Sequence, residues 1–514
     1  LKLFAMLPEA GSSRHSPSAA GRVFIDPDPA ALYLGQLSLQ DHLRATGIHE
    51  PFLLRRLLGE LDWTGFEARY APAGRAPYAP RSMLGLILYG ILQGVSSLRG
   101  LERLARLDLG AMWVSGGVCP DHANIGRFIT LQDELLTGAF FIELTRRVLQ
   151  ATGTGGGSVA GDGTVIEAAC SHYGLLKEEA ARQRLAEARA AAAQAPADKR
   201  QQAVLAQSQQ AHEVLQARQA ARASKGKASD QLCIGRHEPE AVVQPLQRGR
   251  GMGPSYKPSV LANAGRVVVG MAVDPSSETR VLETMLAQSA ASSGEAVADL
   301  LLDAGYFSAP LLAACVARNI NLLCPEGQVA GQPKRSDKYF PKGQFVYDEY
   351  RDAYQCPQQQ WLTPLDRYRG NDRQPGYVRY ATPMCRDCPV QAQCTRGQRR
   401  AIKRYAGDEL KDALRGVMQQ PPAQAFYVKR QAMVEPVFSA LRERQGLNRF
   451  RRRGLAGVRR EFALPILAYN LGRAVVAWLT FIFGLFAAVF EPLAFPCVSR
   501  RIVGSNPRPL PLAA

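Results

Sequence analysis

The order of segments between residues 158 and 324 restricts the fold of this chain more than any other feature of its sequence. Residues 158–164 have strand character, and after an intervening segment they are followed by strand, strand, helix, strand, helix and strand. The two middle strands flank Asn263-Ala264-Gly265, which is typical of a hairpin turn. The predicted segments are strands at 257–262, 266–274, 298–302 and 320–324 and helices at 279–290 and 310–318. This order predicts an α/β unit with a mixed sheet.

The chain is too long for this unit alone, because 514 residues correspond to about three domains at roughly 100–200 residues each. We predict a ribonuclease-H-like mixed sheet that is interrupted by two insertions and preceded by a helical domain. Residues 174–228, rich in Ala, Gln, Glu and Arg, predict a solvated helical insertion or, alternatively, a coiled coil that binds a partner. The other predicted parts are a loose tail at 1–30, a helical domain at 31–150, the α/β core at 151–325 and 421–480, a cysteine-containing insertion at 326–420 before the last helix of that core, and a C-terminal tail at 481–514.

The charge of the chain indicates a polyanionic partner. It contains 63 Lys and Arg against 45 Asp and Glu, a formal net charge of +18. An excess of this size favours nucleic acid first and an anionic membrane surface second. Residues 474–490 are uncharged, but this segment is shorter than the about 20 residues that span a bilayer. We therefore predict a buried terminal helix rather than a membrane anchor, and a cytoplasmic protein that is associated with the nucleoid when bound to DNA.

Three carboxylates lie where the predicted fold would bring them together. Asp162 ends the first strand, Asp303 follows the fourth, and Glu435 lies near the start of the last helical segment. In a ribonuclease-H-like sheet the first and fourth strands are neighbours, so the three acids would repel one another unless divalent cations lay between them. Oxygen ligands suit two Mg²⁺ or Mn²⁺ ions, which promote phosphodiester transfer. Each acid alone also fits a turn or a helix start, and Asp274 and Glu278 are weaker candidates for the same metal site.

Several segments resemble the DDE transposases of bacterial insertion sequences, in the cysteine-containing group with a ribonuclease-H-like core. The resemblance covers residues 33–475 and is carried by GRAPYAPRSMLGLILYGILQGVSSLRGLERL, PDHANIGRF, GDGTVIEAACS, LLLDAGYFS and YVKRQAMVEPVFSALRERQGLNRFRRRGLAGVRREFALPILAYNLGR. The last segment resembles the Tyr–Arg–Glu–Lys signature of that family. Tyr427, Arg430 and Glu435 match its first three positions, and Arg442 replaces its Lys.

The resemblance implies a DNA transposase that cleaves and joins strands at the ends of an insertion sequence. Its partners would be double-stranded DNA, as terminal repeats and target, and a second copy of the chain in a homodimeric active complex. Tyr427, Arg430 and Arg442 would contact the DNA strand near the cleavage site, although surface packing is an alternative role for Tyr427 and Arg430. The alternative function is a catalytically inactive, zinc-containing DNA-binding protein, that is, a degraded transposase copy.

Pro436 allows a prediction about the helix that carries Glu435. Proline has no backbone donor and is favoured at the first turn of a helix, so we expect this helix to begin close to Glu435. Glu435 and Arg442 are seven residues apart and would share one face of a continuous helix.

Four cysteines downstream of the core have a spacing that suits a metal. Cys385 and Cys388 form a Cys-x₂-Cys pair, Cys394 follows, and Cys356 precedes them. This spacing favours structural Zn²⁺. Reduced cysteines packed in a small β-insertion and disulfide bonds are the alternatives that remain open.

A cluster of one charge sign follows the last acid. Residues 421–460 contain many more Lys and Arg than acids, including Arg449, Arg451, Arg452 and Arg453. Solvated helix faces normally mix both signs. We therefore predict that these arginines form a track for DNA phosphates.

Overall fold

The computed structural model describes residues 22–490 except 225, 227, 247–248, 328–338, 341 and 372–373. Most of both predicted tails therefore lies outside the described residues. Residues 22–30, which we assigned to the first tail, pack on the helical domain. The Ile25 backbone bridges to Tyr78, and the Asp26 carboxylate accepts hydrogen bonds from Arg81 Nη2 at 2.8 Å and Ser82 Oγ at 2.7 Å.

The first part of the chain is helical apart from a hairpin of two short strands, each two residues long. Its most apolar helix is buried on nearly every side and begins at Pro80, where the missing backbone donor costs nothing. The domain contains β1 (Tyr33–Leu34), β2 (Leu37–Ser38), α1 (Leu39–Ala45), α2 (Glu50–Gly59), α3 (Thr64–Glu67), α4 (Pro80–Leu92), α5 (Leu98–Leu107), α6 (Leu109–Ser115), α7 (His122–Leu131), α8 (Asp133–Thr137) and α9 (Ala139–Thr152).

The central unit is a mixed seven-stranded sheet. Its elements are β3 (Ser158–Gly163), β4 (Ile166–Glu167), the outlying β5 (Leu175–Leu176), α10 (Glu178–Gln194), α11 (Lys199–Ala223), the outlying β6 (Ile234–Gly235), β7 (Val242–Pro245), β8 (Met252–Asn263), β9 (Val268–Asp274), α12 (Leu282–Ser293), β10 (Asp299–Leu301), α13 (Ala309–Ala317) and β11 (Asn321–Leu323). The main strand order is β11-β10-β3-β8-β4, and β7 and β9 also pair with β8. The predicted hairpin at 263–265 joins β8 to β9, and the first and fourth predicted strands, β3 and β10, are parallel neighbours.

Two segments extend from this unit. Helices α10 and α11 pack as a hairpin within the predicted helical insertion, and the two-residue strands β5 and β6 pair at its base. The cysteine-containing segment forms a separate five-stranded antiparallel sheet with its own small core. Its elements are β12 (Val346–Asp348), β13 (Ala353–Gln355), β14 (Trp361–Asn371), β15 (Gln374–Ala381), α14 (Gln391–Cys394) and β16 (Ala401–Tyr405).

The C-terminal helices return to the central sheet. They are α15 (Asp408–Gln419), α16 (Pro421–Tyr427), α17 (Lys429–Ser439) and α18 (Gly454–Phe490), with a π-helical turn at Ala440–Arg444 after α17. The expectation that a helix begins close to Glu435 is wrong, because α17 begins at Lys429 and contains Pro436 in its interior. Proline there removes the hydrogen bond to the carbonyl four residues earlier. That carbonyl, Ala432 O, instead accepts a hydrogen bond from Arg266 Nε at 3.1 Å.

Helix α18 joins the helical domain to the sheet by packing against α4, α9 and β9. The Asn470 side chain is fully buried and hydrogen bonds both the N–H and the C=O of Val268 on β9, at 2.9 and 2.8 Å. It therefore satisfies the backbone of an edge strand. Among the described residues one helical stretch, Gly454–Phe481, is long and apolar enough to cross a membrane, but 67% of its most apolar window is buried in the protein.

Candidate functional site

Two of the predicted acids lie side by side at one end of the central sheet. Asp162 is the fifth residue of β3, and Asp303 follows the last residue of β10 by two positions. The two strands are parallel, with Ala160 opposite Leu301. Continuing that register by two residues places Asp162 beside Asp303, so both carboxyl groups stand at the same edge of the sheet.

The electrostatic environment of Asp162 confirms how close these groups are. Burial raises the pKa of Asp162 to about 6, the Asp303 and Glu278 carboxylates act in the same direction, and the Arg430 guanidinium opposes them. Burial and the charge of Glu278 likewise raise the pKa of Asp303. Mutual repulsion of this kind is what a divalent cation relieves.

Arg430 is the positive charge inside this cluster. It is only 8% exposed, its Nη2 lies 3.1 Å from Asp162 Oδ1, and the same nitrogen donates a hydrogen bond to the Gly161 carbonyl at 3.2 Å. A guanidinium held in this way stabilises the carboxylate and the strand end. The family resemblance implied that Arg430 contacts the DNA strand. In this conformation its guanidinium instead contacts Asp162 and the Gly161 carbonyl.

Glu435 differs from the two aspartates. It lies on α17, whose buried residues pack against β3 and β8, but its own side chain is exposed. Within the part of the chain that the structure describes, no three or more His, Cys, Asp or Glu side chains are arranged to hold a metal ion. The structure therefore brings together two of the three predicted acids and leaves the third on the helix that covers them.

Tyr427 and Arg442 contact the protein close to the same sheet edge. The Tyr427 hydroxyl donates a hydrogen bond to the Leu302 carbonyl at 3.0 Å, directly before Asp303. Arg442 lies in the π-helical turn and its Nη2 contacts Thr164 Oγ1, two residues after Asp162. The π-helical turn also breaks the regular α-helical spacing between Glu435 and Arg442 on which their shared face depended.

The remaining predicted DNA-binding arginines fall into two groups. Arg449 and Arg452 lie in the loop before α18 and contact other parts of the protein. The guanidinium of Arg449 donates to the carbonyls of Ala168, Ala169 and Cys170. Arg452 is half-buried near the Glu461 carboxylate, which accepts from the backbone N–H groups of Arg451 and Arg452. Arg451 and Arg453 are exposed, although Arg451 Nη1 also reaches Ser96 Oγ at 3.0 Å. Arg449 is exposed as well, with 48% of its side chain accessible, but its guanidinium is already bound to three carbonyls.

The four predicted zinc ligands surround one small cavity. Cys356, Cys385, Cys388 and Cys394 all line a cavity of about 20 Å³ at one end of the five-stranded sheet. Burial raises the pKa of the Cys394 thiol, and the other three cysteines raise it further. All four are free thiols, so the disulfide alternative is not realised in this structure.

Two weaker candidates separate in the structure. Asp274 Oδ1 accepts hydrogen bonds from the N–H groups of Ser276 and Ser277 at 2.8 and 2.7 Å, which is the behaviour of a turn residue. Glu278, in contrast, lies at the acidic cluster and pairs with Lys257, whose Nζ is 2.8 Å from Glu278 Oε1. Glu278 could have been recognised from its position, because it shortly follows a strand that ends at the same edge of the sheet as β3. The sequence alone gave no reason to prefer it to Asp274.

Comparison with known families gives two matches. Residues 355–475 match the family described as Transposase DDE domain, and residues 37–131 match the family described as Transposase domain (DUF772). The first match includes Glu435 and Arg442 but begins after Asp162 and Asp303, and the second covers most of the helical domain. No curated protein and no solved structure matches the chain.

Proposed function

Because the chain belongs to the DDE transposases of insertion-sequence type, we propose that it cleaves and joins DNA strands at the ends of an insertion sequence by metal-dependent phosphodiester transfer. The observation that carries this proposal is the register of β3 and β10, which sets Asp162 beside Asp303 at one sheet edge. Paired carboxylates in such a position are oxygen ligands of the kind that Mg²⁺ and Mn²⁺ prefer.

In this proposal Asp162, Asp303 and Glu435 hold two divalent cations. When bound, such ions activate a water or a 3′-hydroxyl and stabilise the leaving oxygen. The raised pKa of Asp162 and Asp303 supports the fit, since burial disfavours the negative charge of each carboxylate more than Arg430 offsets, and a bound cation would compensate it. Glu435 would contribute from α17, which is fixed to β3 through Arg430.

The residues around the acids divide between positioning and DNA contact. Tyr427 and Arg430 would act as positioning residues, because their polar atoms bond the ends of β10 and β3. Arg442, Arg451 and Arg453 would bind phosphates, with Arg442 nearest to the acids through its contact with Thr164. Arg449 and Arg452 would support the loop that presents them.

The helical domain would recognise the terminal repeats or mediate assembly. Joining both ends of an element to target DNA requires two active sites, so we propose a homodimer in the active complex. The net charge of +18 supports a DNA partner, and the protein would act in the cytoplasm on nucleoid DNA.

A cleavage assay tests this function. The substrate is the DNA that flanks the gene, incubated with the full chain and Mg²⁺ or with EDTA. We expect strand cleavage that needs Mg²⁺, is lost in Asp162→Asn and is kept in Asp299→Asn. Asp299 is a matched control because it lies at the opposite end of β10, where its carboxylate accepts a hydrogen bond from Asn321.

Two outcomes would contradict the proposal. Cleavage that persists in Asp162→Asn would remove this residue from the site. DNA binding without any metal-dependent cleavage would favour the alternative, a catalytically inactive zinc-containing DNA-binding protein, for which the cavity lined by four cysteines is the relevant observation.

A further inference from the structure

A third carboxylate lies at the same sheet edge as Asp162 and Asp303. Strand β9 is antiparallel to β8, and β8 is antiparallel to β3, so β9 runs in the same direction as β3 and ends at the same edge. Glu278 follows the end of β9 by four residues. The topology therefore delivers Asp162, Asp303 and Glu278 from the ends of three strands that point the same way.

Gly163 makes room for the Glu278 carboxyl group. A Cβ atom placed on Gly163 would lie 2.5 Å from Glu278 Cδ and 2.9 Å from its Oε2, closer than real Cβ contacts allow. Glu278 thus lies directly over the backbone of the residue that follows Asp162. A side chain at position 163 would therefore have to displace the Glu278 carboxyl group.

Lys257 holds Glu278 in place. Lys257 Nζ is 2.8 Å from Glu278 Oε1, and the side chains are 27% and 16% exposed. Together with Arg430 it gives the cluster two positive charges against the three negative charges of Asp162, Asp303 and Glu278. A half-buried cluster with this imbalance favours a further cation.

A buried hydroxyl faces the same group of carboxylates. Tyr306 is fully buried, and burial followed by the charges of Glu278, Asp162 and Asp303 raises its pKa. Its hydroxyl lies beside that of Ser259, yet neither oxygen has a hydrogen-bond partner of standard geometry within the described part of the chain. A buried hydroxyl without a hydrogen bond of standard geometry is uncommon, and its place beside three carboxylates suits a site that binds a polar ligand or an ion.

We propose that Glu278 is an additional carboxylate of the metal site, and that Lys257 is its counter-ion while no metal is bound. The inference rests on the proposed function and adds a residue to its site. Four carboxylates, counting Glu435, carry a charge of −4, which matches two divalent cations. Arg430 and Lys257 then leave a positive balance toward the DNA phosphates.

The test measures Mn²⁺ binding to the full chain without DNA, by titration calorimetry and by the rise in melting temperature on adding Mn²⁺. Glu278→Gln keeps an oxygen that accepts from Lys257 Nζ but removes the charge. We expect it to weaken Mn²⁺ binding by about 10–100-fold. The matched control is Glu283→Gln, since Glu283 is 79% exposed and pairs with Arg318 away from the acidic cluster, and we expect Mn²⁺ binding as in the native chain.

A second variant keeps the test decisive if Glu278→Gln fails to fold. Gly163→Ala retains all the carboxylates but its methyl group must displace the Glu278 carboxyl, so it should weaken Mn²⁺ binding as well. Native Mn²⁺ affinity in either folded variant would overturn the proposal.

Asp162→Asn and Asp303→Asn separate this inference from the proposed function. If they abolish Mn²⁺ binding while Glu278→Gln and Gly163→Ala leave it unchanged, only the role of Glu278 is wrong. If all four variants bind Mn²⁺ as the native chain does, the metal site of the proposed function fails as well.

Discussion

Replacing Asp162 by Asn should stabilise the metal-free protein while it abolishes cleavage. Burial, with help from the Asp303 and Glu278 charges, raises the pKa of Asp162 from an ordinary 3.8 to about 6. This difference corresponds to about 3 kcal/mol of unfavourable free energy for the ionised side chain in the folded state. Asn has nearly the same shape and carries no charge, so it avoids this cost.

The gain should be smaller than the full value. Asp162 is the ion-pair partner of the buried Arg430, and Asn can only accept a hydrogen bond from it. We therefore expect Asp162→Asn to raise the free energy of unfolding at pH 8 by about 1–2 kcal/mol, which for a domain of 150–250 residues is about 2–8 °C in melting temperature.

The pH dependence of stability shows that ionised Asp162 destabilises the metal-free native protein. The folded state of the native chain binds more protons than the unfolded state between the two pKa values, so its stability falls as the pH rises from about 4 to about 6 and stays low above that. Asn at this position does not titrate. The melting temperatures of the two proteins should therefore be similar near pH 4, diverge as the pH rises to about 6, and differ by a constant amount above that.

Thermal melting in EDTA at pH 4.5, 6 and 8 measures this difference, with Asp299→Asn as the control of equal chemistry at the other end of β10. A melting temperature of Asp162→Asn that is unchanged or lower at pH 8, or raised equally at every pH, would refute the reasoning. With saturating Mn²⁺ the native chain should instead melt at a higher temperature than Asp162→Asn. A ligand at 100 times its dissociation constant stabilises the protein that binds it by about 2.7 kcal/mol.

Three further predictions concern other parts of the chain. Arg442→Ala should weaken DNA binding and reduce the salt dependence of the binding constant by about one phosphate, whereas Arg442→Lys should keep most of both. An unchanged salt slope in Arg442→Ala would mean that Arg442 binds no DNA phosphate. Protein purified without chelator should contain about one zinc per chain, and Cys385→Ser should lower that content in elemental analysis; a metal-free native chain would leave the four cysteines as packed thiols. Arg266→Met should lower the free energy of unfolding by about 1 kcal/mol in thermal melting, because it removes the hydrogen-bond donor of the Ala432 carbonyl. This loss should be smaller in a Pro436→Ala background, where a backbone N–H becomes available to that carbonyl. Equal losses in both backgrounds would contradict this explanation.

Local signals in the sequence were sufficient for much of the sheet. Asn263-Ala264-Gly265 encodes its turn within three residues, and the hairpin between β8 and β9 forms there. The order of strands was enough to predict that β3 and β10 are neighbours. Acids placed at the ends of those two strands could then be paired without knowledge of any side-chain contact.

The environment of α17 could not be predicted in the same way, because it depends on partners far away in the chain. Pro436 suggested a helix start, yet the helix continues through it because Arg266, 166 residues earlier, supplies the missing donor to Ala432. Arg430 looked like a DNA contact in a basic segment, yet its partners are Asp162 and the Gly161 carbonyl, 269 residues away. Neither the contact of Arg266 with Ala432 nor that of Arg430 with Asp162 can be inferred from the sequence around α17.

The same reasoning applies to the arginines of the basic segment. In sequence, all of them are equally good phosphate ligands, since charge is the only property that the pattern reports. In the structure, a guanidinium whose nitrogens already donate to carbonyls, as those of Arg449 do, has little to offer a phosphate without breaking the loop it holds. Arg451 and Arg453 are exposed and keep that capacity. Because Arg449 is exposed as well, the hydrogen bonds that a guanidinium already makes, rather than its exposure or the number of positive charges, decide which arginines of the segment can bind DNA.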